Sequence, residues 1–241
     1  MLHDTHAPLL IFETEKSMNY VISGISGMYD RYMEMLEKTD FSDSDTLYVL
    51  GNCADRGPDG IKVWLDLMER KNAVPFYGSH EDMAYRVLSV WMEPENIGEE
   101  FMQDLELWMR NGGKSTYDAF KVLDRNVQEK ILWFIHAFAL NKEIEVNGER
   151  YFLSHTVGET ADRPLKKYTP YEYVWGRPDY SECYDENTVL VTGHTPTGAI
   201  DKDYAGRIYI KNNHIAVDCG AAFRQGKLGC ICLDTMEEFY C

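Results

Sequence analysis

The sequence predicts an α/β fold built on parallel strands, and three observations carry that reading. Short apolar runs at residues 20–23, 47–50 and 74–77 are each followed by a glycine-containing loop and then by a helix-period pattern. That order gives parallel strands joined by crossover helices. The runs are nearly continuous rather than alternating, as strands covered on both faces are. Beyond residue 143 the text turns into closely spaced short strand candidates. Loops at the carboxyl ends of parallel strands lie side by side and commonly form a ligand site.

The 241 residues, 44% of them hydrophobic, can bury a substantial core in one domain. We expect that domain over residues 18–241, with residues 1–17 as an N-terminal extension. His3, Asp4 and His6 in the extension could be metal ligands; a mobile terminus is the plainer reading. The apolar stretch 7–12 is short and bordered by Asp4, Glu13 and Glu15, unlike a signal peptide. No run reaches membrane-spanning length, and a cytoplasmic setting follows by default. The formal charge of −16 argues against non-specific nucleic-acid binding and against anionic membrane surfaces. The six cysteines show no paired zinc-ribbon spacing; Cys219, Cys230 and Cys232 lie in strand-like text and read as core.

In chain order, residues 19–23 read as the first strand. A helix over 29–38 follows, with Tyr32, Met35 and Leu36 at helical spacing. Residues 46–50 form the second strand and 60–70 the second helix, with Ile61, Trp64, Leu65 and Met68 on one face. A third strand spans 73–77 and a third helix 81–91. Residues 93–139 are mostly helical, broken at Asn111-Gly-Gly113. His136 in this block reads as a core or boundary residue. Strand candidates then fall at 144–146, 151–154, 189–192, 208–210, 215–217, 228–233 and 238–240. Asn147-Gly148 is a two-residue hairpin signal. Asn212-Asn213-His214 reads as a second hairpin, with His214 exposed.

Five phrases carry chemistry. They are Tyr20-Val-Ile-Ser-Gly-Ile-Ser-Gly27, Leu50-Gly-Asn-Cys-Ala-Asp-Arg-Gly57, Tyr77-Gly-Ser-His-Glu81, Phe152-Leu-Ser-His155 and Thr192-Gly-His194-Thr-Pro. In this order they resemble the phosphoprotein phosphatase family, the calcineurin-like metallophosphoesterases that include bacterial Ser/Thr phosphatases and symmetrical dinucleoside tetraphosphatases. The resemblance runs from about residue 18 to the last residue. It implies a two-sheet α/β/β/α sandwich with the site at the strand ends. It also implies two divalent metals that activate a hydroxide and clamp the phosphoryl group.

The departures fall on the metal ligands. Gly24 stands where the family has its first Asp, Ser26 where it has its first His, Asn52 where it has the bridging Asp, and Ser79 where it has Asn. The framing Gly27, Gly51, Gly57 and Gly78 remain. Glycine offers no donor atom, and neutral oxygens bind transition metals poorly compared with imidazole or carboxylate. The expectation is no metal, or one weakly bound divalent ion (Mn, Zn or Fe) at His155, His194, Asn52 and Ser79. The rest of the phosphate apparatus is kept. His80 matches the leaving-group acid and Asp55 the carboxylate that orients it. Arg56 matches a phosphate clamp, and Arg177 is the candidate for a second. Asp218 reads as structural.

Two functions follow from the resemblance. One is a pseudophosphatase that binds a phosphorylated protein or small phosphorylated ligand. The other is a residual phosphoric monoester or dinucleoside polyphosphate hydrolase using one weak metal. Restoring all four altered ligands is expected to recover metal binding if the cleft has otherwise kept its shape.

Overall fold

A computed structural model of the chain describes residues 17–93, 95 and 97–241. The N-terminal extension, with His3, Asp4 and His6, lies outside the described residues apart from Ser17.

Two five-stranded sheets pack face to face. The first runs in the order β10-β9-β1-β2-β3 and the second β4-β5-β6-β8-β7. In the first, β1 (Asn19–Ile22), β2 (Thr46–Val49) and β3 (Ala73–Pro75) are parallel. The strands β9 (Gly229–Cys232) and β10 (Glu238–Tyr240) close the edge antiparallel. In the second, β4 (Asn141–Val146) and β5 (Glu149–Ser154) form the expected hairpin, with Asn147 and Gly148 both at positive φ (53° and 84°). Next to β5, β6 (Val189–Thr192) and β8 (His214–Ala216) run parallel, and β7 (Tyr209–Lys211) pairs antiparallel to β8.

Alternation along the strands explains why two layers of core form. Tyr20 and Ile22 face the helices while Val21, between them, faces the other sheet. Leu47 and Val49 alternate with Tyr48 and Leu50 in the same way. The inter-sheet layer meets Leu153, Val191, Ile215 and Val217 from the second sheet. The opposite face of that sheet carries Phe152 and Leu190. It is covered by the short α7 (Pro170–Trp175) and the loops around it, through Leu165, Tyr168 and Tyr173.

The helices α1 (Tyr29–Lys38), α2 (Gly60–Glu69) and α3 (Ser79–Trp91) cover the outer face of the first sheet. The helical block resolves into α4 (Glu99–Arg110), α5 (Lys114–Lys121) and α6 (Arg125–His136), with the break where Asn111-Gly-Gly113 predicts it. α4 and α6 pack on α3, and α5 packs on α2. A last short helix, α8 (Thr197–Ile200), follows β6.

Two histidines differ from expectation. His136 ends α6 in solvent, where it stacks on Tyr85 at 5.4 Å. His214 is only 1% exposed. The hairpin at Asn212-Asn213 is as expected, with both residues at positive φ, but β8 lies between β6 and β7 and Tyr180 stacks over its histidine at 4.8 Å. A hairpin reading locates the turn and says nothing about the cover above the next residue.

Burial pushes the His214 imidazole down to about 3. The unfolded chain gains a proton below about 6.5 that the folded ring refuses. The neutral ring therefore contributes stability that is full above about 6.5 and is lost as pH falls towards 3. We expect the unfolding free energy of His214→Gln to fall less steeply than that of wild type between pH 6 and pH 4, by up to about 1.4 kcal/mol per pH unit. Urea titrations of both proteins at the two pH values check this; parallel slopes would show that the ring titrates freely.

Candidate functional site

Three loops from the first sheet and two strand ends from the second converge on one spot. The loop after β1 is braced on the loop after β2: Ser26 N donates to Asn52 O at 2.8 Å, and Gly27 N donates to Cys53 O at 2.9 Å. Gly57 N returns the contact by donating to Ser26 O at 2.9 Å. A Cβ on Gly57 would lie 2.6 Å from the carbonyl oxygens of Ser26 and Gly27, so the crossing of these loops requires glycine. The framing glycines are thus packing requirements, which accounts for their presence without any metal chemistry.

Glu81 ties the third loop to the second. Fully buried, it accepts from Asn52 N and Cys53 N at 2.8 Å each and from Gly78 N at 3.2 Å. Its role was not read from the sequence. The N-cap is Gly78, which has no side chain, so the two-sided capping-box pattern that would flag this Glu is absent from the text.

Ser26, Asn52, Asp55, Arg56 and His194 all have positive φ, between 50° and 71°. They are half of the ten non-glycine residues in that region among those described. Left-handed backbone at non-glycine positions is costly and gathers at functional sites.

The structure brings the four candidate metal residues together. His155 Nδ1 lies 2.7 Å from Leu50 O, and His155 Nε2 lies 2.9 Å from His194 Nδ1. Ser79 Oγ is 3.3 Å from His194 Nδ1 and donates to Asn52 Oδ1 at 3.4 Å. Asn52 Oδ1 also accepts from His80 N at 3.2 Å. A carbonyl can only accept, so His155 carries its proton on Nδ1 and offers a lone pair at Nε2. His194 Nδ1 must then donate to it, which leaves His194 Nε2 as a bare acceptor. That atom is buried and has no hydrogen-bond partner. Burial pushes the His155 imidazole down to about 3, and both burial and the charge of Arg177 keep His194 low as well.

The fit of these residues to metals follows from this network. A two-metal arrangement does not fit. Gly24 supplies no donor, and Ser26 Oγ accepts from Arg56 Nη1 at 3.4 Å, so a cation faces the first position. No group of three or more His, Cys, Asp or Glu suited to a metal occurs among the described residues. The second position offers two imidazoles and two neutral oxygens. To use His194 Nδ1 as a ligand, the ring would have to carry its proton on Nε2, buried without an acceptor, at a cost of about 1–3 kcal/mol. Two zinc–nitrogen bonds at a tetrahedral angle would also set the nitrogens roughly 3.3 Å apart, wider than the present 2.9 Å contact.

Gly24 has a further constraint. At φ +62°, a Cβ there would lie 2.7–2.8 Å from the carboxylate of Asp218. Asp218 is buried, its Oδ1 accepts from Gly220 N at 2.9 Å, and burial raises its pKa against the lowering effect of Arg56 and His80. A carboxylate from the second sheet's side thus stands against Gly24.

The acid pair is intact. Asp55 is fully buried and its Oδ2 accepts from His80 Nδ1 at 2.6 Å. The same oxygen accepts from Trp108 Nε1 at 2.7 Å, a contact that the helical stripe of α4 does not reveal. Asp55 N donates to Thr116 Oγ1 at 3.1 Å. Arg56 is exposed, its N donates to Gly112 O at 2.9 Å, and its guanidinium stands over the ring of Phe223 at 5.6 Å. Arg177 is exposed at the mouth, and its charge bears on both His155 and His194. It also lines a cavity of about 900 Å³ that reaches Thr195, the residue after His194. His155, His194, Ser79, Asn52, His80 and Asp55 are therefore joined by contacts of 2.6–3.4 Å, Arg56 adjoins Asp55 in the chain, and Arg177 bears on the group through its charge.

No family model matches the chain. A solved structure provisionally described as a diadenosine tetraphosphatase superposes with a TM-score of 0.65 at 14% identity, covering 95% of this chain and 94% of that one. The chain has the calcineurin-like metallophosphoesterase fold. A protein serine/threonine phosphatase of Saccharomyces cerevisiae shares this metallophosphoesterase architecture, with a TM-score of 0.57 at 12% identity over 92% of this chain and 74% of that one. Among curated proteins, the symmetrical bis(5'-nucleosyl)-tetraphosphatase of Buchnera aphidicola is 31% identical over 100 residues. That match spans 38% of this chain and 36% of the relative's length. Metallophosphoesterases of this fold generally use divalent metals. No helix among the described residues is long and apolar enough to cross a membrane.

Proposed function

We propose that the cleft binds a phosphoric ester between Arg56, Arg177 and His80, and that the chain is a metal-poor hydrolase of such esters. The observation that carries this is the buried Asp55–His80 pair, fixed at 2.6 Å and braced by Trp108, beside an exposed arginine. An imidazole held in one tautomer next to a guanidinium is suited to protonating a leaving oxygen while the cation holds the phosphoryl group. The tetraphosphatase relatives favour a dinucleoside polyphosphate as the ligand class. A single divalent cation would be held by His155, His194, Asn52 and Ser79, and when bound it would supply Lewis-acid chemistry. Binding there should be weak, for want of any carboxylate in the set. Six unpaired cysteines suit a reducing compartment such as the cytoplasm.

A second reading is favoured by the neutral donor set itself: a pseudophosphatase that binds a phosphorylated protein or small molecule without turning it over. Losing the metal-activated nucleophile should lower the rate by many powers of ten, because the metal brings the pKa of water from 15.7 to about 7. The two readings separate on elemental analysis of the purified protein, with turnover of p-nitrophenyl phosphate and diadenosine tetraphosphate in excess manganese and in chelator. Manganese-dependent turnover that disappears in His155→Ala is the expected result. Tight binding of diadenosine tetraphosphate with no turnover would replace the hydrolase by the pseudophosphatase. Neither binding nor turnover of any phosphoric ester would sink both.

A further inference from the structure

We infer that Phe223 is a stacking platform for a nucleobase of the ligand whose phosphates Arg56 holds; this rests on the reading of the cleft as a phosphoric-ester site. Phe223 is 50% exposed at the tip of the turn after Asp218. Trp133 and Tyr171 are more exposed than Phe223, so exposure alone does not single it out; the loop that carries it does. This loop is not loose. Phe223 N donates to Gly220 O at 2.8 Å, Gly226 N donates to Phe223 O at 3.0 Å, and Lys227 N donates to Cys219 O at 3.1 Å. Arg31 on α1 pins both ends, donating from Nη1 to Ala221 O and to Gly226 O at 2.9 Å each.

The Arg56 guanidinium stands over one face of the ring, 5.6 Å from its centroid, so the phosphate clamp caps that face and a base would stack on the other. Arg224 and Lys227, both exposed, add positive charge to the same loop in a chain of net charge −16. An aromatic face beside a cationic phosphate contact is how proteins hold a nucleotide without reading its sequence edge, and each stacked base adds binding that alanine substitution removes. The inorganic part of the ligand would gain nothing from Phe223. That difference separates a platform from a mere prop for Arg56.

The test is calorimetric binding of diadenosine tetraphosphate and of inorganic tripolyphosphate to the full chain, in wild type, Phe223→Ala, Phe223→Trp and Arg56→Ala. We expect Phe223→Ala to weaken the dinucleotide about tenfold and tripolyphosphate less than about twofold, with Phe223→Trp keeping wild-type affinity for both. Arg56→Ala should weaken both probes. Equal weakening of the two probes by Phe223→Ala would make the ring a support for Arg56 and overturn the inference, as would no weakening at all. Failure of wild type to bind either probe would instead strike the phosphoric-ester reading, and the platform with it. Phe223 lies on the surface, so an unchanged melting temperature in Phe223→Ala would exclude misfolding as the cause.

Discussion

Gly24→Asp, which puts an Asp where the motif resemblance sets the first metal ligand, is expected to destabilise the folded chain by about 3–5 kcal/mol, the usual cost of an uncompensated buried charge. The new Cβ would fall within 2.8 Å of all three carboxyl-group atoms of Asp218. The backbone at φ +62° adds roughly 1–2 kcal/mol for any L side chain. Two carboxylates would then share a buried pocket whose nearest positive influences, Arg56 and His80, already act on Asp218. Urea denaturation of Gly24→Ala, Gly24→Asp and Gly24→Asp/Asp218→Ala tests this. Gly24→Asp should be the least stable, and removal of Asp218 should restore much of the loss. If the double variant is no more stable than Gly24→Asp, the two positions do not compete for the same space. Restoring all four ligands would add a second carboxylate, from Asn52→Asp. That protein should depend on manganese for its folding stability, which is readable in a melting curve without any measurement of turnover. The recovery expected from the sequence holds only if the cleft has kept its shape, and the contact between position 24 and the Asp218 carboxylate, 194 residues on, shows that here it has not.

The same separation decides which parts of the site are legible from the chain. Strands β1, β2 and β3 announce themselves because burial on both faces leaves continuous apolar text, and the loops after them carry phrases that fix their order. His80, Asp55, Arg56, His155 and His194 sit inside those phrases, so their convergence follows from the topology. Glu81, Trp108 and Phe223 do not sit there in any readable role. Trp108 looks like one more apolar position of α4 until its indole N–H is found on Asp55. Phe223 falls between two strand candidates and outside every phrase, and only the pinned turn makes it a fixed surface feature. His214 is hidden for the converse reason. A polar residue after a turn suggests exposure, and the Tyr180 ring that covers it comes from a loop 34 residues earlier.

Asp55→Ala is the second large effect, expected at about 3–5 kcal/mol of stability. Asp55 Oδ2 is the acceptor for two buried donors, His80 Nδ1 and Trp108 Nε1, and truncation leaves both without a partner. Each stranded donor costs about 1–3 kcal/mol. Asp55→Asn is expected to fall between, because its oxygen could still accept while its amide N–H would occupy the place of Oδ1, which is buried with no hydrogen-bond partner. Trp108→Phe removes one donor while leaving Asp55 paired with His80, so it should cost less than Asp55→Ala. Combining Asp55→Ala with Trp108→Phe should cost less than the sum, since one of the stranded donors is then absent. Strict additivity would mean that the indole N–H finds another acceptor and that the 2.7 Å contact carries little. The outcome also bears on function. If Asp55→Asn keeps most of the stability yet loses ligand binding or turnover, the carboxylate acts by positioning His80 towards a phosphoryl group. If binding falls only in proportion to unfolding, the buried pair is a brace between α3 and α4, and the cleft holds its ligand by the arginines alone.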